Sequence, residues 1–170
     1  MTDHDERMCE LQADVFELSA ERFSCGSEYF ASRFMHSQAA KRLDNVRDLY
    51  NYSTPETLLL EMASAYPSLD CKNGKKLPSH VLRWIGYVYR AFCIEKKWFS
   101  ADLYKELKAE ELHGLYDSFH TFSVEYCVGR LFDLIIERRG GQKSDYEIYR
   151  AIRIAEMEGR RPYTKKRKRG

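Results

Sequence analysis

Five histidines, His4, His36, His80, His113 and His120, are the first place to look for chemistry in this chain. None falls in H-E-x-x-H, and none pairs with cysteine at zinc-ligand spacing. His113, Asp117 and His120 recur at i, i+4 and i+7, so a helix would set them on one face. That face offers an acid–base or metal site. The plainer reading is a histidine hydrogen-bonded inside a helical bundle. There is no phosphate-cradling P-loop, no dinucleotide fingerprint and no nucleophile elbow. Carboxylates are abundant, but no pair of them is marked out for hydrolysis. These residues point away from an enzyme and toward no metal or cofactor.

A small helical chain raises the case of a HEPN-type ribonuclease, which needs arginine four to six residues before a histidine. No histidine here is so preceded. The polar residues set in aromatic stretches are more informative. Arg33 lies in EYFASRFM, Lys41, Arg42 and Asp44 in AAKRLDN, and Arg90 ends WIGYVYR. Such arginines can lie along apolar surface and pair with local acids. Alternatively they belong to an Arg/Tyr contact surface of the kind enriched at binding hot spots, with Tyr87, Tyr89, Tyr104 and Tyr116.

The element that must position most of these residues is 79–97, SHVLRWIGYVYRAFCIEKK. Val81, Trp84, Ile85, Val88 and Phe92 recur on one helical face, and Leu82, Tyr89 and Cys93 make a second beside it. A helix apolar over most of its circumference is surrounded by other elements. Arg83 and Arg90, seven apart, share one stripe of it. Ser79 reads as its N-cap.

Around it the spacing predicts a first helix over 5–24 whose outer row carries Glu6, Glu10, Asp14, Glu17 and Glu21, either a solvated face or a contact for a basic partner. Ser27 and Ser37 read as caps of two short helices. Residues 44–54 read as irregular. Thr54 with Pro55 starts another helix, and 67–78 is a loop. Ser100 reads as the cap of a short helix, 109–117 as another, and Ser123 as the cap of 124–139, stopped by Gly140-Gly141. Ser144 opens a last helix, 145–158. No period-two stretch is long enough for a strand. The expected architecture is all-α: one domain, 1–159, of roughly seven or eight helices around a buried central helix (79–97).

At 170 residues, with 44% hydrophobic and 32% charged residues, the chain can bury a core without staples. No apolar run reaches the ~18–20 residues of a membrane span, and the acidic start has no apolar signal core. The five cysteines, odd in number and widely spaced, read as reduced thiols of a cytoplasmic protein. The net charge of +2 conceals an asymmetry, because Arg160, Arg161, Lys165, Lys166, Arg167, Lys168 and Arg169 crowd the last eleven residues. Without those seven, the other 159 residues carry −5. The end, 160–170, is expected to be a disordered basic tail, and any affinity for nucleic acid is confined to it.

Three blocks carry a resemblance. The first is Cys25, Ser27, Phe30, Arg33-Phe34-Met35, Ser37 and Ala40-Lys41-Arg42-Leu43-Asp44. The second is Trp84-Ile85-Gly86-Tyr87-Val88-Tyr89-Arg90. The third is Leu112, Gly114-Leu115-Tyr116, Phe119-His120-Thr121 and Glu125. Together, over about residues 20–137, they resemble small helical bacterial proteins encoded beside toxin-like ADP-ribosyltransferases. The resemblance implies an antitoxin that inhibits by binding, blocking the NAD cleft of the toxin or holding it shut. It carries over no catalytic motif. It implies that Arg33, Arg42, Tyr87, Arg90, Tyr116 and His120 are mostly structural supports, a subset of which reaches the partner. The competing expectation is a DNA- or RNA-binding regulator that uses the basic tail, with Phe99-Ser100 as a helix-turn-helix turn. The helix behind that turn, ADLYKELK, balances its charges and is a poor groove reader.

Overall fold

The helix over 79–97 is the hub of the molecule, as its two apolar faces predict. The computed structural model describes residues 1–45, 53–71, 73–140, 151, 154–155 and 158–159. Among them are eight α-helices and no strand. In chain order they are α1 (Asp3–Arg22), α2 (Ser27–Met35), α3 (Gln38–Leu43), α4 (Pro55–Ala65), α5 (Ser79–Lys96), α6 (Ser100–Glu106), α7 (Ala109–Phe119) and α8 (Val124–Arg138). The expected helix 145–158 lies for most of its length outside the described residues, and the tail 160–170 lies wholly outside them.

α5 packs most extensively along α1 and also against α6, α7 and α8. Val81, Leu82, Ile85, Val88, Tyr89, Phe92 and Cys93 are all buried, so both predicted faces are core. Trp84, assigned to the same face, is only half-buried. Gly86 sets the α1–α5 distance: a Cβ there would stand 2.7 Å from the Gln12 carbonyl oxygen and 2.9 Å from Phe16 Cβ. The two helices therefore meet backbone to backbone at that point. Phe16 then reaches across the seam, edge-on to Phe34 at 5.3 Å and to Tyr89 at 6.1 Å.

Helix starts follow the expected chemistry at Ser37, Thr54 and Ser123, whose hydroxyls accept from backbone N–H groups of the first turn. α1 begins two residues early, because Thr2 and Asp5 form a reciprocal capping box. Three expected caps are displaced. Ser27, Ser79 and Ser100 are the first residues of their helices, and Gly26, Pro78 and Phe99 take the cap positions without a side-chain bond. The Ser27 hydroxyl instead accepts from Leu77 N–H at 2.9 Å. It joins Cys25 N–H to Leu69 C=O and Ser27 N–H to Lys75 C=O in tying the 67–78 segment to the start of α2.

α5 ends at Lys97, a non-glycine residue in the left-handed region with φ 56°. No helix among the described residues is long and apolar enough to cross a membrane. The five cysteines are free thiols, four buried and Cys71 exposed.

Candidate functional site

The acidic row of α1 was a candidate for either solvent or a basic partner. The structure gives much of it to the protein itself. Glu10, Asp14 and Glu17 converge on Arg83 of α5, the last at 3.3 Å. All four side chains are more than a third exposed, so water screens the cluster, and an exposed pair of this kind contributes about 0–1 kcal/mol.

Two turns further along α5, Arg90 is fully buried. Its Nη1 donates to Asp44 Oδ1 at 2.7 Å, its Nε to Gln12 Oε1 at 2.9 Å, and its Nη2 to Ser100 Oγ at 2.9 Å. Asp44, just past α3, also accepts from the Ser100 N–H at 2.9 Å and the Ser100 hydroxyl at 2.7 Å. Burial opposes the arginine charge, but Asp44, together with Cys93 and Cys9, raises Arg90 above its ordinary value and keeps it charged. Beside the pair, burial pushes the Cys93 thiol up to about 12. It is therefore protonated and unreactive at neutral pH. This network joins α1, α3, α5 and α6. The Ser100 expected to mark a helix-turn-helix turn faces inward as part of it.

On the outer side of α5 the polar groups give way to rings. The Tyr116 ring lies edge-on to Trp84 at 5.4 Å and to His80 at 5.7 Å. It stacks on His120 at 4.5 Å, while His120 Nδ1 sits 2.8 Å from the Tyr116 carbonyl oxygen. Tyr87, one turn beyond Trp84, is half-buried, and burial first, then Cys9, Glu10, Glu6 and Glu125, push its hydroxyl up to about 12. Glu125 leads into Tyr126, whose ring packs on Phe122 at 4.8 Å. Phe122 and Tyr126 are 53% and 49% exposed, among the largest apolar exposures in the described molecule. The rings therefore form two groups, His80, Trp84, Tyr116 and His120 between α5 and α7, and the exposed pair Phe122 and Tyr126 at the start of α8.

Arg33 and Arg42 lie elsewhere. Arg33 is exposed and covers the rings of Tyr29 and Tyr66, and Arg42 pairs with Glu61 of α4. Both follow the expectation of local support. Of the six residues singled out in the sequence, the structure brings together Tyr116 and His120, with Tyr87 one turn of α5 beyond Trp84. It encloses Arg90 completely, as part of the network that joins α1, α3, α5 and α6. His80 and Trp84 complete the cluster around Tyr116 and were not singled out. The i, i+4, i+7 spacing of 80, 84 and 87 was the signal for both.

His113 and Asp117 form no metal centre with His120: among the described residues no three His, Cys, Asp or Glu side chains are placed to hold an ion. A hollow of about 240 Å³, lined by Gly26, Glu28, Gly74, Lys75, Leu77 and Glu110, is smaller than the ~300–1,000 Å³ of ordinary ligand pockets. The ring surface is the feature best fitted to recognition, because Trp and Tyr supply large contact area with a polar edge.

The three blocks quoted above meet at two points. Asp44 of the first touches Arg90 of the second, and Trp84 of the second touches Tyr116 of the third. No protein family, curated protein or solved structure compared with this chain matches it.

Proposed function

We propose that this protein is a binding protein that neutralises an ADP-ribosyltransferase-like toxin by direct contact, without chemistry of its own. The observation that carries the reading is the ring cluster of Trp84 on α5 with Tyr116 of α7 and His120 just beyond it, beside Tyr87, on a helix anchored from behind. Support comes from the three-block resemblance and from the way the blocks converge on α5. Arg90, Asp44 and Gly86 fix the helix, and the rings present the contact. A rigid ring surface loses little conformational entropy on binding, which favours tight inhibition.

The test is co-expression with the product of the neighbouring gene, followed by a growth assay and an assay of NAD turnover. Growth arrest relieved by this chain, with a complex that survives size-exclusion chromatography, is the expected result. His120→Ala, at an exposed position, should weaken the rescue without loss of fold. A folded chain that leaves the toxin's NAD turnover untouched would overturn the proposal. The basic tail favours a second reading, a nucleic-acid regulator. Binding to DNA or RNA that disappears on removing 160–170 and falls steeply with salt would support it.

A further inference from the structure

We propose that the hollow between the start of α2, the 67–78 segment and the start of α7 binds a free α-amino acid with an apolar side chain. It uses no residue of the ring cluster, and it stands whether or not a toxin is the partner.

The walls come from three parts of the chain and are fixed to one another. Ser27 N–H donates to Lys75 C=O at 3.0 Å, and Leu77 N–H to the Ser27 hydroxyl at 2.9 Å. A Cβ on Gly74 would stand 2.7 Å from Gly26 N, so the two glycines meet backbone to backbone and put no side chain into the space. Glu110 N–H, in the first turn of α7, donates to Glu28 Oε2 at 2.8 Å, and the buried Tyr104 hydroxyl donates to Glu28 Oε1. The hollow is therefore built before any ligand arrives, which keeps the ordering cost of binding low.

Its lining selects the ligand. Glu28, Lys75, Leu77 and Glu110 supply the side chains around about 240 Å³. Each carboxylate oxygen of Glu28 accepts one bond inside the protein and keeps capacity for another donor. Among the described residues, the Lys75 ammonium and the Glu110 carboxylate have no ion-pair or hydrogen-bond partner, although both residues line the same space. An ammonium and two carboxylates around one small space match a molecule that carries both signs itself. A phosphate meets two carboxylates of its own sign, and a simple amine leaves Lys75 unanswered. The α-carboxylate of an amino acid goes to Lys75, its α-ammonium to Glu28 and Glu110, and its side chain to Leu77.

The experiment is isothermal titration of the full chain with L-alanine, L-valine and L-leucine, each beside its N-acetyl and its carboxamide form. At least one of the three free amino acids should bind saturably in the millimolar range, and blocking either end should lower affinity about tenfold. Lys75→Ala should lose about tenfold toward the free amino acid and nothing toward the carboxamide. Glu110→Gln should lose about tenfold toward the free amino acid and nothing toward the N-acetyl form. Both positions are exposed, so the variants should keep the native circular dichroism. Lys41→Ala/Glu137→Gln, at exposed positions elsewhere, should bind as the natural chain does.

Absence of saturable heat with all three amino acids would overturn the proposal. So would carboxamides that bind as tightly as the free amino acids, which would leave a site for cations only. Equal losses in the control variant would also overturn it. The titration needs no toxin, so its failure leaves the direct-contact reading intact, and an untouched toxin leaves this site intact.

Discussion

Arg83 and Arg90 stand seven residues apart on the same stripe of α5, and both bond to α1. Arg83 gathers three carboxylates at a solvated edge, where each is partly hydrated. Arg90 has one carboxylate, one amide and one hydroxyl, all out of water. The richer ion cluster is therefore the weaker support. An exposed cluster exchanges one set of favourable contacts for another. A buried ion has no alternative partner, so losing either member leaves a charge stranded. The difference between these two residues lies in the dielectric around them and in the number of exits for water, which neither residue type nor spacing encodes.

The most severe way to break this comparison is Arg90→Met, which leaves Asp44 buried without its cation. The expected loss is about 3–5 kcal/mol, read as a fall in the urea midpoint. Adding Asp44→Asn should recover part of that loss, since a neutral pair no longer strands a charge. An Arg90→Met protein with an unchanged midpoint would remove the distinction. Gly86→Ala comes next. Its new methyl group would meet the Gln12 carbonyl and Phe16, so the α1–α5 seam must open, at about 1–3 kcal/mol.

Arg83→Ala should cost less than about 1 kcal/mol. Its effect should shrink further near 1 M salt, where the screening length is about 3 Å. A salt-independent loss would mean that the cluster behaves as if buried. The smallest effect is a gain. Lys97→Gly relieves a side chain held at positive φ and should raise stability by up to about 1 kcal/mol, visible as a higher melting temperature.

Much of the helical order was legible before any coordinates. The apolar period of 79–97, the Thr54-Pro55 start and the Ser123 cap are local signals, and local signals survive folding. The displaced caps show where such reading stops. A serine at a helix start has two outlets for its hydroxyl, the helix's own amides or a distant segment. Leu77 claims Ser27, and Asp44 claims Ser100. These partners lie 50 and 56 residues away, so no window of sequence contains both.

The site divides in the same way. Tyr87, Tyr116 and His120 were recognisable as ring and histidine positions on predicted helices. That Trp84 would be only half-buried at the core's edge, its ring against Tyr116, depends on where α7 lies. The acidic row of α1 was read correctly as a row, but its main partner proved to be Arg83 of the same chain.

The knot at Arg90 also sets the order in which the chain can assemble. Its bonds from Arg90 to Gln12 and Asp44 span 78 and 46 residues and that from Ser100 to Asp44 spans 56, so each needs a long chain segment to close before it forms. Such contacts arrive after the local helices and after most apolar surface has met. Weakening them should leave the refolding rate nearly unchanged and quicken unfolding, so that the molecule's lifetime, more than its ability to fold, resides in Asp44 and Arg90.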